Sequence, residues 1–322
     1  MPDVMSNGGR KAPAVNGFLN FYKPVGITSM EALRRVKRIT RQRKKVGHAG
    51  TLDPLADGVL PICFGQATRL MERIVSGWKR YRMTMRLGAV SNTYDAEGEI
   101  TEIANPSDLS RAEIAAALQR FVGVIDQVPP MYSAIKIDGQ RLYDLARAGK
   151  EVERPPRQVN VRAIGIDEIS MPYLRLTVDC GRGAYLRSIA HDLGQALGCG
   201  GYVIELTRLS CGGFRAEDGV TLEALADAEL NGDWQQYLRP VDWAMRDIPA
   251  MMLDASDAWA VRHGQAIWAG GFGRRGSGVQ QRAYDPDGVF LALLDRQSDG
   301  LWQPTRVFHG AEPSPYAPAS AR

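Results

Sequence analysis

The hydrophobic positions of the chain recur with two periods and predict both strands and helices. Residues 174–180 alternate Leu, Leu, Val and Cys with polar side chains, the pattern of a strand with one buried face. Residues 186–197 carry leucine and isoleucine at intervals of three and four, the pattern of an amphipathic helix. By the same criteria we predict further strands at 17–22, 81–87 and 202–209, and helices at 28–39, 110–121, 221–231 and 256–262.

Two of these helices have a capping-box pattern at their start. Thr28 is followed three residues later by Glu31, and Ser110 by Glu113. The strands and helices are joined by long connections and do not follow a regular βαβ order. This arrangement favours the α+β class over a doubly wound α/β fold.

The chain divides into a large and a small domain with short extensions. The composition changes near residues 245–249, and short strand patterns follow around Ala266, Arg282, Val289 and Thr305. We therefore expect a large domain at 16–246 and a small β-barrel at 247–310. Residues 1–15, and the Pro-, Ala- and Ser-rich tail at 311–322, are expected to be disordered.

Composition excludes several classes of protein. The longest apolar runs, such as 289–294, are too short to span a membrane, and the N-terminus lacks the apolar stretch of a secretory signal. The four cysteines form no CxxC pair, and none of the four histidines lies near a cysteine at ligand spacing. We expect a cytoplasmic protein without a disulfide framework or a metal site.

The basic residues are concentrated in one segment. The formal charge of the chain is +4, but residues 34–45 carry eight basic side chains and no acidic one. Outside this segment 32 basic side chains face 36 acidic ones. Such a strip is typical of a nucleic-acid partner, and a solvated helix face is the alternative. Residues 78–82, Trp-Lys-Arg-Tyr-Arg, interleave aromatic and basic side chains in a way that suits unpaired bases, although a half-buried strand would look the same.

A loop rich in glycine and proline at 47–61, GHAGTLDPLADGVLP, is the best candidate for a site. It presents Asp53 directly before a proline that restricts the backbone. On these residues alone an ordinary Asp-Pro turn remains the favoured interpretation, and pairing of Asp53 with Asp57 as in a glycosidase is disfavoured because both lie in one tight loop. The glycines at 181–183 and 270–278 match neither a dinucleotide fingerprint nor a P-loop, and we interpret the second group as a flexible hairpin loop.

The 47–61 loop closely resembles the catalytic loop of the TruB family, the tRNA pseudouridine-55 synthases. Further matching segments follow in the same order: FYKPVGITS at 21–29, KRYR at 79–82, PMYSAIK at 130–136 and GAYLR at 183–187. The resemblance covers about residues 17–245, and the C-terminal module is similar, more weakly, to a PUA-type RNA-binding domain. Asp57 departs from the small hydroxyl residue that we expect there. The implied fold has a mixed, largely antiparallel central sheet.

The resemblance implies a cofactor-free isomerisation of one uridine in the T-loop of tRNA. Asp53 matches the catalytic nucleophile, which has to be ionised. Arg187 matches the arginine that pairs with it, a task suited to a bidentate guanidinium. Tyr81 matches the tyrosine that stacks on the uracil and accepts the C5 proton. From the residues alone, a strand tyrosine and a surface arginine are the plainer interpretations.

The resemblance also implies residues that bind the substrate. The target uridine has to be flipped out of the T-loop, with His48 filling the gap, and Tyr185 and Leu206 lining the base pocket. Phosphate contacts are expected from basic residues before, within and after the first predicted helix: Lys23, Arg34, Arg35, Lys37, Arg38 and those up to Lys45. The C-terminal module is expected to hold the acceptor arm.

Two alternatives differ from a stand-alone tRNA enzyme that needs no protein partner. The chain could be the catalytic subunit of an RNA-guided pseudouridylase, which works with accessory proteins. It could also be a non-catalytic RNA-binding or RNA-folding protein on the same fold. The presence of Asp53, Tyr81 and Arg187 together argues against the second.

Overall fold

The computed structural model describes residues 15–133, 135–137, 139–147, 149, 152–268, 279–310 and 312–318. Residues 1–14, the glycine-rich segment at 270–278 and the last four residues, on which parts of our sequence predictions fall, lie outside the described residues. None of the described helices is both long and apolar enough to cross a membrane.

The described chain contains eighteen strands and seven α-helices. The strands are β1 (Gly17–Lys23), β2 (Val46–His48), β3 (Ala56–Phe64), β4 (Lys79–Leu87), β5 (Ala89–Ser91), β6 (Ile100–Glu102), β7 (Gly123–Gln127), β8 (Lys136–Ile137), β9 (Gln140–Arg141), β10 (Arg157–Ser170), β11 (Tyr173–Cys180), β12 (Gly201–Cys211), β13 (Phe214–Arg215), β14 (Leu238–Arg239), β15 (Ala250–Met252), β16 (Gln280–Tyr284), β17 (Phe290–Arg296) and β18 (Trp302–Val307). The helices are α1 (Ser29–Ile39), α2 (Met71–Ser76), α3 (Arg111–Gln119), α4 (Leu142–Arg147), α5 (Leu186–Ala196), α6 (Leu222–Asn231) and α7 (Ala255–Arg262).

A ten-stranded sheet forms the frame of the large domain. Eight of its strands run in the order β14-β1-β3-β12-β4-β11-β10-β7, while β13 pairs with β12 and β2 pairs with β3. The pairing of β3 with β12 is parallel and the other pairings in this sheet are antiparallel. This confirms the predicted α+β class and the mixed, largely antiparallel sheet.

Helices α1, α3, α5 and α6 contribute apolar side chains to one core with this sheet. At the start of α1 the Thr28 side chain accepts a hydrogen bond from the backbone N–H of Glu31, and at α3 the full capping box of Ser110 and Glu113 is present. On α1 the residues Ala32, Leu33 and Val36 are buried, so the basic side chains point away from the core.

The C-terminal module is a four-stranded sheet in the order β15-β16-β17-β18, with α7 packed against it. The sequence predicts a small β-barrel here, and the described strands form an open β-sheet that is not closed into a barrel. A second core joins the module to the large domain, with Phe290 and Phe308 on one side and Phe214 and Trp243 on the other.

Part of the tail that we expect to be disordered packs on the protein. Pro313 forms a β-bridge with Val289, and the Ser314 hydroxyl donates a hydrogen bond of 2.5 Å to the buried carboxylate of Asp242. Apolar contacts of Tyr316 with the second core add to these. The composition of the tail gives no sign of these contacts, because they depend on residues far away in the chain.

Candidate active site

The loop at 50–54 is fastened on two sides by distant parts of the chain. Ser29, the first residue of α1, exchanges two hydrogen bonds with the backbone of Leu52, at 2.7 and 2.9 Å. The N–H of Gly26 donates to the carbonyl oxygen of Pro54 at 2.8 Å. The segment at 21–29 therefore acts as a brace for the loop that carries Asp53.

Arg208 fastens the same loop from β12. Its guanidinium is buried and donates to the carbonyl oxygens of Gly50 (3.0 Å), Thr51 (3.4 Å) and Val59 (2.6 Å). Gly58 allows β3 to approach this strand: its φ is +99°, and a Cβ there would lie 2.3 Å from the Arg208 carbonyl oxygen. Hydrogen bonds from α1 and from β12 thus hold the loop on two sides.

Asp53 and Arg187 form an ion pair at the centre of the site. The Nη2 of Arg187 lies 2.9 Å from the Oδ2 of Asp53. The arginine side chain is 4 % exposed and the aspartate side chain 34 % exposed, so the carboxylate is the member of the pair that faces solvent. The structure brings together the two residues that the sequence assigns to one pair.

The same guanidinium also binds a second carboxylate. Its Nη1 lies 3.1 Å from the Oδ2 of Asp95 and donates to the Thr93 carbonyl oxygen, while Nη2 donates to the Tyr132 carbonyl oxygen. Asp95 is 2 % exposed. Two carboxylates therefore share one guanidinium. Together with the two backbone carbonyl oxygens they determine its orientation.

Burial and the neighbouring charges act on the pKa of Asp53 in opposite directions. Burial raises the pKa of Asp53, Arg187 opposes that rise, and the nearby negative charge of Asp95 adds to it. Lys23 lowers the pKa further, but the net direction is upward from the ordinary value. Arg187 is the main group that favours the ionised form of this carboxyl.

Tyr81 lies on β4 and lines the same cleft as the ion pair. Its side chain is buried, and burial raises the pKa of its hydroxyl to about 12, although the neighbouring Arg208 favours the ionised form. At neutral pH the phenol is uncharged. The structure therefore presents a flat, neutral ring with a cation next to its oxygen.

Asp53, Tyr81, Tyr185, Arg187 and Leu206 line a single cleft of about 430 Å³. The backbone of Tyr185 is held by both side-chain amide atoms of Gln127, at 2.7 and 3.0 Å. Five residues predicted from separate segments are thus brought to one cavity, to which they contribute two aromatic rings, one apolar side chain and an ion pair.

The structure contradicts the prediction that Lys23 binds phosphate. Its side chain is completely buried, and its Nζ donates to the carbonyl oxygens of Pro24 and Ile27 at 2.8 Å, with that of Pro54 at 3.5 Å. Burial lowers the pKa of Lys23 to about 8. This lysine supports the loop of Asp53 from inside because three carbonyl oxygens converge on its position.

The basic side chains of α1 lie outside the cleft. Arg34, Arg35 and Arg38 are exposed and Lys37 is partly exposed. Arg35 pairs with Glu31 on the same helix, and Arg41, just beyond the helix, pairs with Glu229. The strip therefore offers fewer unpaired cations than the sequence indicates.

His48 ends β2, pairs with Ile62 of β3 and is half-buried. Its Nδ1 has no hydrogen-bond partner among the described residues, and burial together with Arg208 lowers the pKa of the ring. His48 does not belong to the lining of the cleft that contains Asp53. Within the described chain, no group of three or more potential ligand side chains is arranged to hold a metal ion.

Sequence reasoning missed Asp95, Arg208 and Gln127, although all three hold the site together. Each makes its decisive contact with a residue that is at least 58 positions away. No local pattern marks them: Asp95 lies between β5 and β6 and forms an isolated β-bridge with Val203, and Arg208 lies in a strand of mixed composition.

Three models of pseudouridine synthase domains match consecutive parts of the chain, from residue 37 to residue 309. Residues 37–186 match the model of the TruB family pseudouridylate synthase N-terminal domain. Residues 187–246 match the tRNA pseudouridylate synthase B C-terminal domain, and residues 248–309 match the C-terminal domain of tRNA pseudouridine synthase II.

Curated relatives and solved structures agree with these matches. The chain is 43 % identical over 297 residues to a tRNA pseudouridine synthase B of Burkholderia mallei, covering 91 % of this chain and 97 % of that protein. It is 39 % identical over 303 residues to the protein of the same name from Dehalococcoides mccartyi, covering 94 % and 100 %. The crystal structure of a Cbf5-Nop10-Gar1 complex aligns with a TM-score of 0.67 and 26 % identity, covering 94 % of this chain and 87 % of that one. The chain belongs to the TruB family of pseudouridylate synthases.

Proposed function

We propose that this chain converts uridine 55 in the T-loop of tRNA to pseudouridine, with Asp53 as the reacting carboxylate. The observation that carries the proposal is the Asp53–Arg187 ion pair at 2.9 Å, whose aspartate faces a cleft that also contains Tyr81. The tRNA substrate comes from the names of relatives that match nearly the whole chain.

The reaction breaks the N1–C1′ bond of the nucleoside, turns the uracil and forms a C5–C1′ bond, while a proton leaves C5 and another is gained at N1. It consumes no redox equivalent and no phosphate donor. Asp53 has a part in either of two routes: attack of its carboxylate on C1′, or elimination to a glycal-like intermediate. Both require the ionised form, which Arg187 favours.

Tyr81 has two tasks in this scheme. Its ring stacks on the detached uracil and keeps it in the cleft while it turns. Its hydroxyl then takes part in removal of the C5 proton. Because the pKa of the phenol is about 12, this step needs the help of the Arg208 guanidinium, which favours the ionised oxygen.

The uridine reaches Asp53 only after it leaves its stack in the RNA. The carboxylate lies in a cleft lined by Tyr185 and Leu206, and a stacked base in a folded T-loop has no access to it. In the proposal Tyr185 and Leu206 contact the flipped base, and His48 fills the gap left in the loop. The exposed Arg34, Arg35 and Arg38 and the partly exposed Lys37 attract the phosphates.

We further propose that the chain acts alone in the cytoplasm, with its C-terminal module on the acceptor arm. A second candidate function is favoured by the solved neighbour, in which Cbf5 is in complex with the proteins Nop10 and Gar1. In that case the chain would be the catalytic subunit of a larger assembly. Its activity would then depend on added components.

One experiment separates these functions. The purified chain is incubated with an unmodified tRNA transcript, and pseudouridine is mapped by carbodiimide adduct formation and primer extension. A single stop corresponding to position 55, absent with Asp53→Asn, is the expected result. Product at another position would refute the site, and no product without added proteins would favour the assembly. RNA refolding by Asp53→Asn at the wild-type rate would reveal a non-catalytic role.

A further inference from the structure

Trp78 and Arg162 form an exposed stacked pair that the proposed mechanism does not use. The guanidinium carbon of Arg162 lies 3.9 Å from the centre of the Trp78 ring. Trp78 is 37 % exposed, which is unusual for a large aromatic side chain at the start of a core strand. Both side chains of the pair are therefore accessible to solvent.

This pair lies at the edge of the cleft that contains Asp53. Gly181 lines the cleft, and a Cβ on that glycine would lie 4.0 Å from the Trp78 ring. The N–H of Gly181 donates to the carbonyl oxygen of Asn160 at 2.7 Å, which ties the strand of Arg162 to the same edge. Trp78 also directly precedes β4, the strand that carries Tyr81.

Neighbouring arginines are occupied by carboxylates, and Arg162 is not. Arg80 forms a bidentate pair with Asp179 at 2.6 and 2.7 Å, and Arg182 pairs with Glu72. Arg162 forms no ion pair of 4 Å or less with any residue that the structure describes, although its charge helps to lower the pKa of the nearby Asp179. Its guanidinium instead lies over the Trp78 ring. A guanidinium that lies over an aromatic ring and makes no close ion pair suits the binding of nucleobases by stacking.

We propose that Arg162 and Trp78 form a stacking platform for an unpaired base of the RNA substrate, one that flanks the uridine in the cleft. The inference rests on the proposed function and adds a recognition element to it. Stacking on a flat cation and an indole tolerates any base, so the platform contributes affinity and placement of the loop and takes no part in the chemistry.

The protein side of the test uses Trp78→Ala and Arg162→Ala. Stacking of one base changes affinity by about tenfold, so each variant should raise KM and Kd for the tRNA about tenfold and leave kcat within twofold. Matched controls are Tyr173→Ala, which removes another exposed aromatic of the same sheet, and Arg175→Ala, which removes an arginine paired with Glu168. Both controls should leave KM and Kd unchanged.

The RNA side uses T-loop RNAs in which each unpaired nucleotide in turn is abasic. At one position the missing base should weaken binding to the wild type about tenfold and have no further effect in Trp78→Ala, because both changes remove the same contact. Additive losses at every position, or an unchanged Kd in both protein variants, would overturn the proposal.

The two proposals fail in different ways. Wild-type protein that makes no pseudouridine on any RNA refutes the proposed function, while Kd values for the abasic series still decide whether the platform exists. Active wild-type protein with unchanged KM in Trp78→Ala and Arg162→Ala refutes the platform alone. Since Arg162 is exposed on a strand surface, its variant tests the platform even if the Trp78 variant folds poorly.

Discussion

Arginine serves two different purposes in this molecule, and the contrast between Arg187 and the arginines of α1 shows how. Arg187 is 4 % exposed and touches two carboxylates and two carbonyl oxygens. Arg34 and Arg38 are exposed and have no ion pair within the described chain. Arg187 favours the ionised form of Asp53 through direct contact, while the exposed arginines of α1 contribute positive electrostatic potential at the surface.

The two regions should therefore respond differently to substitution and to salt. A charge that is buried among fixed partners is screened little, and removal of one partner leaves the other uncompensated. Exposed charges act through counterion release, which salt weakens. Substitutions at the buried ion pair should lower the reaction rate or shift its pH dependence. Substitutions on α1 should change only the affinity for tRNA.

The largest expected effect is that of Asp53→Asn. The amide cannot supply the carboxylate, so the single-turnover rate of pseudouridine formation should fall by at least about 10⁴-fold while the Kd for tRNA stays within threefold. Asp57→Asn is the matched control, because Asp57 lies close by in sequence on β3, outside the lining of the cleft, and accepts a hydrogen bond from Tyr22. It should retain most of the rate. Measurable turnover by Asp53→Asn would remove Asp53 from its role.

A smaller effect is expected for Tyr81→Phe, which keeps the ring and removes the hydroxyl. We expect kcat to fall by about 100-fold or more with KM nearly unchanged, the magnitude of a lost proton transfer. Tyr81→Leu, which also removes the ring, should in addition raise KM. Steady-state kinetics of both variants check this, and equal kcat values for wild type and Tyr81→Phe would leave the ring as the only contribution.

Asp95→Asn should lower the rate about ten- to 100-fold and change its pH dependence. The substitution loosens Arg187, which lowers the rate, and removes a negative charge that raises the pKa of Asp53. Since the reaction needs ionised Asp53, the rate of the wild type rises with pH through this raised pKa, and that limb should move to lower pH in the variant. A limb that stays in place or moves upward in a pH–rate profile would argue against the coupling.

Removal of charge from α1 should have the smallest effect at low salt. Arg34→Ala together with Arg38→Ala should weaken tRNA binding about tenfold and reduce the slope of log K against log salt by about one to two, with kcat unchanged. The double variant Arg111→Ala, Arg120→Ala removes two exposed arginines at the two ends of α3 and serves as the control. An unchanged slope in the α1 variant would show that the strip is only a solvated helix face.

Local signals in the sequence predict much of the fold. The caps at Thr28 and Ser110 and the alternation at 174–180 act within a few residues, and the structure has α1, α3 and β11 at those places. The C-terminal sheet and the packed tail depend on contacts between distant segments. The hydrophobic pattern of the sequence therefore could not predict that the sheet stays open or that Ser314 of the tail binds Asp242.

The candidate site divides in the same way. The residues carried by motifs, Asp53, Tyr81 and Arg187, meet in one cleft. Asp95 and Arg208 were missed because each acts across more than 90 positions. Lys23 was misassigned because a lysine near a basic helix resembles a phosphate contact, and only the convergence of three carbonyl oxygens shows that it is buried.

The most direct test of the central claim is the pH dependence of single-turnover rates in Arg187→Gln beside the wild type. Loss of the guanidinium removes the largest influence that lowers the pKa of Asp53. The residual rate of the variant should therefore rise with pH along a limb shifted to higher pH, opposite in direction to the shift in Asp95→Asn. A limb at the wild-type position, or at lower pH, would contradict the claim that Arg187 keeps Asp53 ionised.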